Sequence, residues 1–168
     1  MPWPEAIELH GDIVSVVPLT RDHCASLKEA AADGDLHRLW YTSVPAPEAM
    51  TDDIEKRLSM RESGFMLPFS VIDRGFGKPI GMTTYLNIDE ANRRLEIGAT
   101  WYRQSVQRSG LNTECKFLLL QHAFETLDCI AVEFRTHFMN RQSRRAIERL
   151  GAKLDGVLRN HTIMPNGT

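Results

Sequence analysis

The chain has 168 residues, a length that suits one domain with its own hydrophobic core. Apolar residues make up 42% of it and charged residues 25%, as in ordinary globular proteins. The formal net charge of -2 argues against a general nucleic-acid or membrane-surface binder, which would need clustered Lys and Arg. No apolar run approaches the length of a membrane span, and residues 1–5 do not resemble the start of a signal peptide.

The three cysteines, Cys24, Cys115 and Cys129, are odd in number and lack the spacing of a metal site. Cys115 and Cys129 lie among apolar residues, so we expect buried free thiols in a reducing compartment. The sequence therefore predicts a cytoplasmic protein without a bound metal, and with neither nucleic acid nor membrane as a partner.

The first part of the chain predicts one strand followed by two helices. Residues 13–19 are rich in β-branched side chains and contain a proline, which favours a strand at a sheet edge. Thr20 is a plausible cap for a helix that ends at Gly34. Thr51 is a plausible cap for a second helix that ends at Gly64.

Three antiparallel strands are predicted next, over residues 69–73, 79–88 and 94–102. The glycine-bearing turn 74–78 joins the first two strands as a hairpin. The polar turn 89–93 leads into the third strand, so the three form a meander.

A βαβ unit shares the last strand of the meander. The strand over 94–102 precedes a polar turn, 107–113, which opens into an apolar helical run, 114–124, before a strand over 130–136. Strands joined in this way are parallel neighbours with a right-handed crossover. The start of the helix presents unpaired N–H groups that suit a phosphate, and Gly110 permits close approach of the backbone or a positive φ. An ordinary capped helix is the alternative interpretation of this turn.

The last part of the chain predicts a short helix and a strand. Asn140 is a strong N-cap, and Gly151 is suited to end the helix that follows it. Residues 153–164 are predicted as a strand and residues 165–168 as a hairpin turn, because Asn-Gly is a strong turn signal. The sequence stops where the returning strand would begin.

Two motifs resemble the signatures of the GCN5-related N-acetyltransferases, the GNAT superfamily. The phosphate-binding turn of that family is Gln/Arg-x-x-Gly-x-Gly/Ala, and Gln107-x-x-Gly110-x-Asn112 stands at its place here. Asn140-x-x-Ser143, leading to Leu150-Gly151, is similar to the second signature. The resemblance covers about residues 13–161, and it is closest to the branch of the ribosomal-protein N-terminal acetyltransferases and their small-molecule relatives.

The resemblance implies an α/β (α+β) fold, the GNAT fold. Its mixed central sheet would have about six strands, with the antiparallel meander and the βαβ unit, splayed at the two central parallel strands. Residues 1–168 would form a single acetyltransferase domain that lacks the family's last strand. A truncation, a tail outside the sequence, or a strand contributed by the partner in a homodimer would each explain that ending.

The resemblance also implies a reaction. A primary amine of a peptide N-terminus, an amino acid or a small molecule would attack the thioester of acetyl-CoA directly, without a metal or a covalent enzyme intermediate. The pantetheine arm would pair with the unpaired backbone of one splayed strand, where Gly98 fits a bulge. Backbone N–H groups near residues 99–101 would stabilise the oxyanion, each contributing roughly 3 kcal/mol. A non-catalytic acyl-CoA-binding module and an unrelated α/β nucleotide binder are the alternatives.

The catalytic residues that the resemblance implies are Glu96, as general base directly or through water, and Ser143, as a hydrogen-bond donor to the sulfur. Weaker candidates for the base are Asp89, Glu90 and His137. The family's frequent acid, a tyrosine seven residues after the asparagine, is replaced by Ile147. A strand carboxylate or a first-turn serine with no catalytic role is the alternative interpretation of Glu96 and Ser143.

The cofactor-binding residues by the same resemblance are Thr100, Trp101, Gln107, Arg108, Ser109, Gly110, Leu111, Asn112, Thr113 and Asn140. One of the arginines that ring the last helix would pair with the 3′-phosphate, the set being Arg141, Arg144, Arg145 and Arg149. Trp40 and Tyr41 precede the loop at the family's acceptor groove and would line a pocket for the amine. Core packing of Trp40 is the alternative.

Overall fold

The computed structural model describes residues 3–42, 44–163 and 167. Within them the strands are β1 (Leu9–His10), β2 (Val14–Pro18), β3 (Met66–Asp73), β4 (Lys78–Asp89), β5 (Arg94–Tyr102) and β6 (Ala131–Glu133). The α-helices are α1 (Cys24–Ala32), α2 (Met50–Glu62), α3 (Leu111–Gln121) and α4 (Arg141–Arg149). A π-helical turn, His122–Thr126, continues α3.

The six strands form one mixed sheet in the order β1-β2-β3-β4-β5-β6. Neighbours are antiparallel up to β5, and β5 pairs with β6 in parallel, with α3 as the crossover between them. This confirms the predicted sheet, the meander over β3, β4 and β5, and the βαβ unit. The strand β1 was not predicted, because a two-residue strand carries no sequence pattern.

Helices cover both faces of the sheet. On one face the core joins sheet residues to α3, and its members include Val16, Phe69, Tyr85, Ile97 and Leu119. On the other face Met82 and Trp101 pack against α1 and α2 in a second core that includes Leu27, Ala31 and Ile54. Because both faces are covered, β3 is buried continuously from Met66 to Val71 and β4 from Pro79 to Tyr85.

Of the two predicted helix starts, one is confirmed and one is wrong. Thr20 is the N-cap of the short 3₁₀ turn Arg21–His23, where it forms a capping box with His23, and α1 follows directly on that turn. Thr51 is not a cap, since it lies inside α2, which follows the 3₁₀ turn Pro47–Ala49. The fixed φ of Pro47 favours the start of a helical segment, so the chain turns helical ahead of the threonine.

At one end of the strand order, the parallel strands β5 and β6 part after three residue pairs. Arg94, Leu95 and Glu96 pair with Ala131, Val132 and Glu133. Beyond Glu133 the chain leaves the sheet, while β5 continues to Tyr102. The predicted splay is therefore confirmed, and the strand predicted over 130–136 is too long at its end. The apolar residue types after Glu133 reflect partial burial, as for Phe134, rather than strand pairing.

A β-bulge lies in β5 just past the point where the strands part. Thr84 pairs with Gly98 and Met82 with Trp101, so β5 has one residue more than β4 in this interval. Gly98 lies at this bulge, as predicted, and the next residue, Ala99, takes a φ of 47°. Gly81 permits the close approach of the bulge, because a Cβ there would lie 2.1 Å from the Trp101 carbonyl oxygen.

Residues 152–163 form no strand, which corrects the strand predicted over 153–164. Leu154, Val157 and Leu158 are exposed, so this segment has neither a paired neighbour nor a buried face. The predicted turn over 165–168 lies, but for Gly167, outside the described residues. Among the helices described, none is both long and apolar enough to cross a bilayer.

Candidate active site

The two signature segments lie side by side. The Gln142 side-chain amide, at the start of α4, donates to Oε1 of Gln107 in the turn before α3, with an N–O distance of 3.4 Å. At the other end of α4, Arg149 donates to Oγ1 of Thr113 at 3.5 Å. Since α4 runs alongside the start of α3, residues from both signatures surround the same helix N-terminus.

The turn before α3 presents free backbone N–H groups. Gly110 is the N-cap of α3, and Leu111 N–H donates to the Ser109 hydroxyl at 3.4 Å. In the part of the chain that the structure describes, no protein group accepts from the N–H of Asn112 or Thr113. These donors and the positive end of the helix dipole suit a phosphate.

One detail of this turn corrects the sequence analysis. Gly110 has a φ of -67°, and the positive φ of the turn belongs to Arg108, at 63°. Gly110 is therefore not needed for a left-handed backbone, and a Cβ there would make an ordinary contact with Ile13 Cδ1, at 3.4 Å. Asn112 lies in the first turn of α3, two residues after the N-cap Gly110.

The β5 strand borders the gap between β5 and the chain after β6. On this side of the gap, backbone groups rather than side chains are available to a ligand. Trp101 is 5% exposed, and its indole lies in the core between the sheet and α1 and α2. Its backbone, and that of Ala99 and Thr100, lies on the part of β5 beyond the paired residues. Thr100 is half-buried, with its hydroxyl directed to Thr83 and Lys116. This arrangement provides a strand edge on which an extended ligand pairs.

Glu96 lies at the point where the gap begins, in the last residue pair shared by β5 and β6. It is 6% exposed, and its Oε2 accepts from Asn87 Nδ2 at 2.7 Å and lies 3.5 Å from Arg135 Nε. Burial raises the pKa of Glu96, and the hydrogen bond from Asn87 and the charge of Arg135 oppose that rise. A carboxylate with a raised pKa at the edge of a cleft is suited to take a proton.

The alternative carboxylates have structural surroundings. Asp89 accepts from the backbone and side chain of Asn92, and these hydrogen bonds hold its pKa below the usual value. Glu90 is exposed in the same β4–β5 turn. Neither carboxylate is in a buried setting that would increase its basicity.

Trp40, Tyr41 and His137 form an aromatic cluster beside the segment that leaves β6. The centroids of the Trp40 and His137 rings are 4.9 Å apart, and those of Trp40 and Tyr41 are 5.7 Å apart. Tyr41 stacks on His137 at 6.5 Å. Trp40 is 39% exposed, which excludes the alternative that it is an ordinary core residue. His137 Nδ1 accepts from Met139 N–H at 3.2 Å, so its neutral form carries the proton on Nε2.

The start of α4 is built as the second signature predicts. Asn140 Oδ1 accepts from Ser143 N–H at 3.1 Å, which confirms the N-cap. Ser143 is half-buried and its backbone is fixed by this bond. Ile147, one turn further on, supplies no proton donor at the place of the family's tyrosine.

Two surface cavities differ in their relation to the candidate site residues. One of about 270 Å³ lies against α4 and is lined by Arg141, Arg144, Arg145 and Glu148. Its positive charge suits a phosphate group. The other, of about 730 Å³, lies between the N-terminal residues, the end of α2 and the start of β3. None of the predicted site residues lines this larger cavity, so we do not assign the site to it.

Sequence reasoning did not single out two buried cations near the sheet centre. Arg57 of α2 is 7% exposed and donates to Asp53 at 2.6 Å and to Thr84 at 3.2 Å. Lys116 of α3 is 6% exposed and donates to Thr100. The sequence does indicate that Lys116 is buried, because Lys116 lies on the apolar face of its helix, beside Cys115 and three residues before Leu119.

Comparison with known proteins agrees with this geometry. The acetyltransferase (GNAT) domain model matches residues 14–153. The chain therefore belongs to the GNAT acetyltransferase family, whose members transfer acetyl groups.

Individual relatives support the same assignment. A curated Bacillus subtilis (strain 168) protein named "Putative ribosomal N-acetyltransferase YdaF" is 32% identical over 83 residues, which are 49% of this chain and 45% of that protein. The match thus spans less than half the length of this curated relative. A crystal structure of a GCN5-related N-acetyltransferase from Brucella melitensis is 32% identical, with a TM-score of 0.86, over 98% of this chain and 75% of that one.

A second structure shares the fold alone. The Microcin C7 self immunity acetyltransferase MccE, solved in complex with acetyl-CoA and AMP, is 19% identical with a TM-score of 0.80. The alignment covers 94% of this chain and 87% of that one.

Proposed function

We propose that this protein is an acetyl-CoA-dependent N-acetyltransferase that moves the acetyl group from the thioester to a primary amine by direct attack. The observation that carries the proposal is the parting of β5 and β6 after three residue pairs, together with the free N–H groups at the start of α3. A strand edge, a phosphate-binding turn and a buried carboxylate would then lie along the path of the cofactor.

The residues present fit acetyl-CoA. The N–H groups of Asn112 and Thr113 would hold the pyrophosphate, with Gln107 and Asn140 closing the site from the two signature segments. The arginines of α4 would pair with the 3′-phosphate, and Arg149 is the one that reaches the start of α3. The edge of β5 from Ala99 to Trp101 would pair with the pantetheine arm. Acetyl-CoA supplies an activated acyl group, and MccE, which has the same fold, was crystallised with that ligand.

Glu96 is the proposed general base. A protonated amine is not a nucleophile, so the attacking nitrogen must lose a proton, directly or through a water, to a carboxylate such as Glu96. Its burial favours the neutral form and so increases its basicity. Ser143, held at the start of α4, would donate a hydrogen bond to the departing sulfur, since Ile147 offers none.

The aromatic cluster of Trp40, Tyr41 and His137 is the proposed acceptor site. Aromatic faces attract an amine-bearing group and exclude water from it. The name of the Bacillus subtilis relative refers to a ribosomal N-acetyltransferase, which supports a peptide N-terminus as one acceptor class. A free amino acid or a small amine fits the same chemistry. We also propose a cytoplasmic location, because all three cysteines are free thiols.

The test is a thiol-release assay with acetyl-CoA and a panel of peptide, amino acid and small amines, after thermal shift with acetyl-CoA and with ATP. We expect stabilisation by acetyl-CoA alone and release of CoA with at least one acceptor class. The absence of a tyrosine at Ile147 keeps a second candidate, a non-catalytic acyl-CoA-binding module. Stabilisation by acetyl-CoA without turnover on any amine would support that module, and stabilisation by ATP alone would contradict both.

A further inference from the structure

Lys116 is a buried cation on the sheet side of α3. It is 6% exposed, and its Nζ donates to Thr100 Oγ1 at 2.5 Å and to Thr83 Oγ1 at 3.3 Å. The two threonine hydroxyls lie 2.8 Å from each other. The ammonium thus ends in a small network of neutral oxygens on β4 and β5.

No carboxylate neutralises this ammonium among the residues that the structure describes. The ring of Phe134, with its centroid 5.9 Å from Nζ, provides the remaining attraction. Burial lowers the pKa of Lys116 to about 8, so the ammonium still predominates at neutral pH. Burial also raises the pKa of the neighbouring Cys115 thiol, which therefore stays neutral. A buried charge without a counter-charge lowers the stability of the fold, so packing alone does not explain why a lysine stands at position 116.

The two groups that hold the ammonium lie on opposite sides of the gap. Thr100 follows Ala99 in the bulge, on the part of β5 without a partner. Phe134 is the first residue after β6, where the chain leaves the sheet. Lys116 therefore bridges the gap from the side of α3, directly behind the backbone that would face the acyl group.

We propose that Lys116 is a positioning residue for acetyl transfer. Its ammonium fixes the bulge through the Thr100 hydroxyl and places a positive charge behind the backbone N–H groups that face the thioester. This inference rests on the proposed N-acetyltransferase function. It adds a source of charge stabilisation that does not depend on the missing tyrosine.

The step balances without a proton from Lys116. The amine nitrogen forms a bond to the thioester carbon, the carbonyl oxygen gains negative charge, and the carbon–sulfur bond then breaks with its electron pair on sulfur. The proton lost by the amine passes to Glu96 or to water, and the thiolate takes a proton from solvent. The fixed ammonium stabilises the negative charge on oxygen and then on sulfur.

The first experiment compares Lys116→Met with the matched control Lys56→Met on the exposed face of α2. We expect Lys116→Met to keep its melting temperature, because an unpaired buried charge is replaced by an apolar side chain of similar length. Its affinity for acetyl-CoA should change less than threefold, while its kcat should fall at least tenfold. An unchanged kcat, or a fall in kcat matched by an equal loss of acetyl-CoA affinity, would overturn the proposal.

A second measurement uses the unaltered protein, in case Lys116→Met does not fold. The carbon-13 resonance of Lys116 Cε should shift on saturation with acetyl-CoA, since the acyl end would lie against the network that holds the ammonium. Acetyl-CoA that binds and turns over without moving this resonance would overturn the role of Lys116 alone. Failure of the unaltered protein to bind acetyl-CoA or to acetylate any amine would instead overturn the proposed function.

Discussion

The indole of Trp40 meets the imidazole of His137 edge to face, with ring centroids 4.9 Å apart. Trp40 follows α1, and His137 lies between β6 and α4, so the contact joins two distant parts of the chain at the proposed acceptor site. The contact places two candidates, one for substrate binding and one for the general base, in a single aromatic cluster.

Replacing Trp40 with alanine should weaken acceptor binding. An aromatic pair contributes about 1 kcal/mol beyond its buried area, so we expect KM for the amine to rise about fivefold or more while the Kd for acetyl-CoA is unchanged. Steady-state kinetics with the best acceptor of the amine panel measures this. The matched control is Phe76→Ala, an exposed aromatic in the β3–β4 turn, and an equal effect of both variants would exclude the cluster as the acceptor site.

Glu96→Gln should lower kcat/KM for the acceptor by roughly 10²- to 10⁴-fold, the usual contribution of a general base. Burial raises the pKa of Glu96. The kcat/KM of the unaltered protein should therefore increase as the pH rises through the pKa of Glu96, and this increase should be absent in Glu96→Gln. The kcat/KM profile against pH tests this, with Glu90→Gln in the exposed turn as control.

The same substitution should not reduce stability at neutral pH. A carboxyl whose folded pKa is raised binds its proton more tightly in the folded state, so its ionisation opposes folding as the pH rises. We therefore expect the melting temperature of Glu96→Gln at pH 8 to equal or exceed that of the unaltered protein. A marked loss of stability would indicate that Glu96 is a structural carboxylate.

Asn112→Asp should affect the free protein and the complex in opposite directions. Asn112 lies in the first turn of α3, where a negative charge stabilises the helix dipole by about 0.3–1 kcal/mol. The same charge repels a pyrophosphate at that helix end, so we expect the Kd for acetyl-CoA to rise at least tenfold. Calorimetric titration and thermal unfolding give the two values, and Asn112→Ala separates the added charge from the lost amide. Unaltered affinity in Asn112→Asp would mean that the phosphates bind elsewhere.

Glu114→Gln should destabilise the fold. The Glu114 carboxylate accepts from the N–H groups of Asp12, Ile13 and Val14 at 2.9, 2.7 and 2.7 Å, and so attaches the turn before β2 to α3. Loss of these charge-assisted bonds should cost about 2 kcal/mol, or roughly 4–8 °C in melting temperature. Glu125→Gln, which loses only a local bond to Gln121, should show almost no change.

The pH dependence of this contribution has a definite sign. Partial burial acts to raise the pKa of Glu114, but the three N–H groups and Arg74 outweigh it and hold the pKa below its usual value. A lowered folded pKa stabilises the fold above the unfolded pKa, and that stabilisation is lost as the pH falls through the folded pKa. The difference in melting temperature between Glu114→Gln and the unaltered protein should therefore be full at pH 7 and shrink on acidification.

Elements with local signals could be predicted from the sequence alone. β-rich runs and turn residues located the meander, with β5 at the predicted bounds, and Asn140 marked the start of α4. Two short motifs with the correct spacing indicated the family.

Features that depend on contacts between residues distant in the chain are visible only in the tertiary structure. Only the pairing of β5 with β6 shows that the strands part after Glu96, and only packing brings Trp40 to His137 and Lys116 to Thr100. The sequence pattern over 153–164 predicted a strand that is not formed. The apolar pattern of a segment indicates which of its side chains could be buried. Strand pairing and burial also require a neighbouring segment, and the fold as a whole determines whether that neighbour is present.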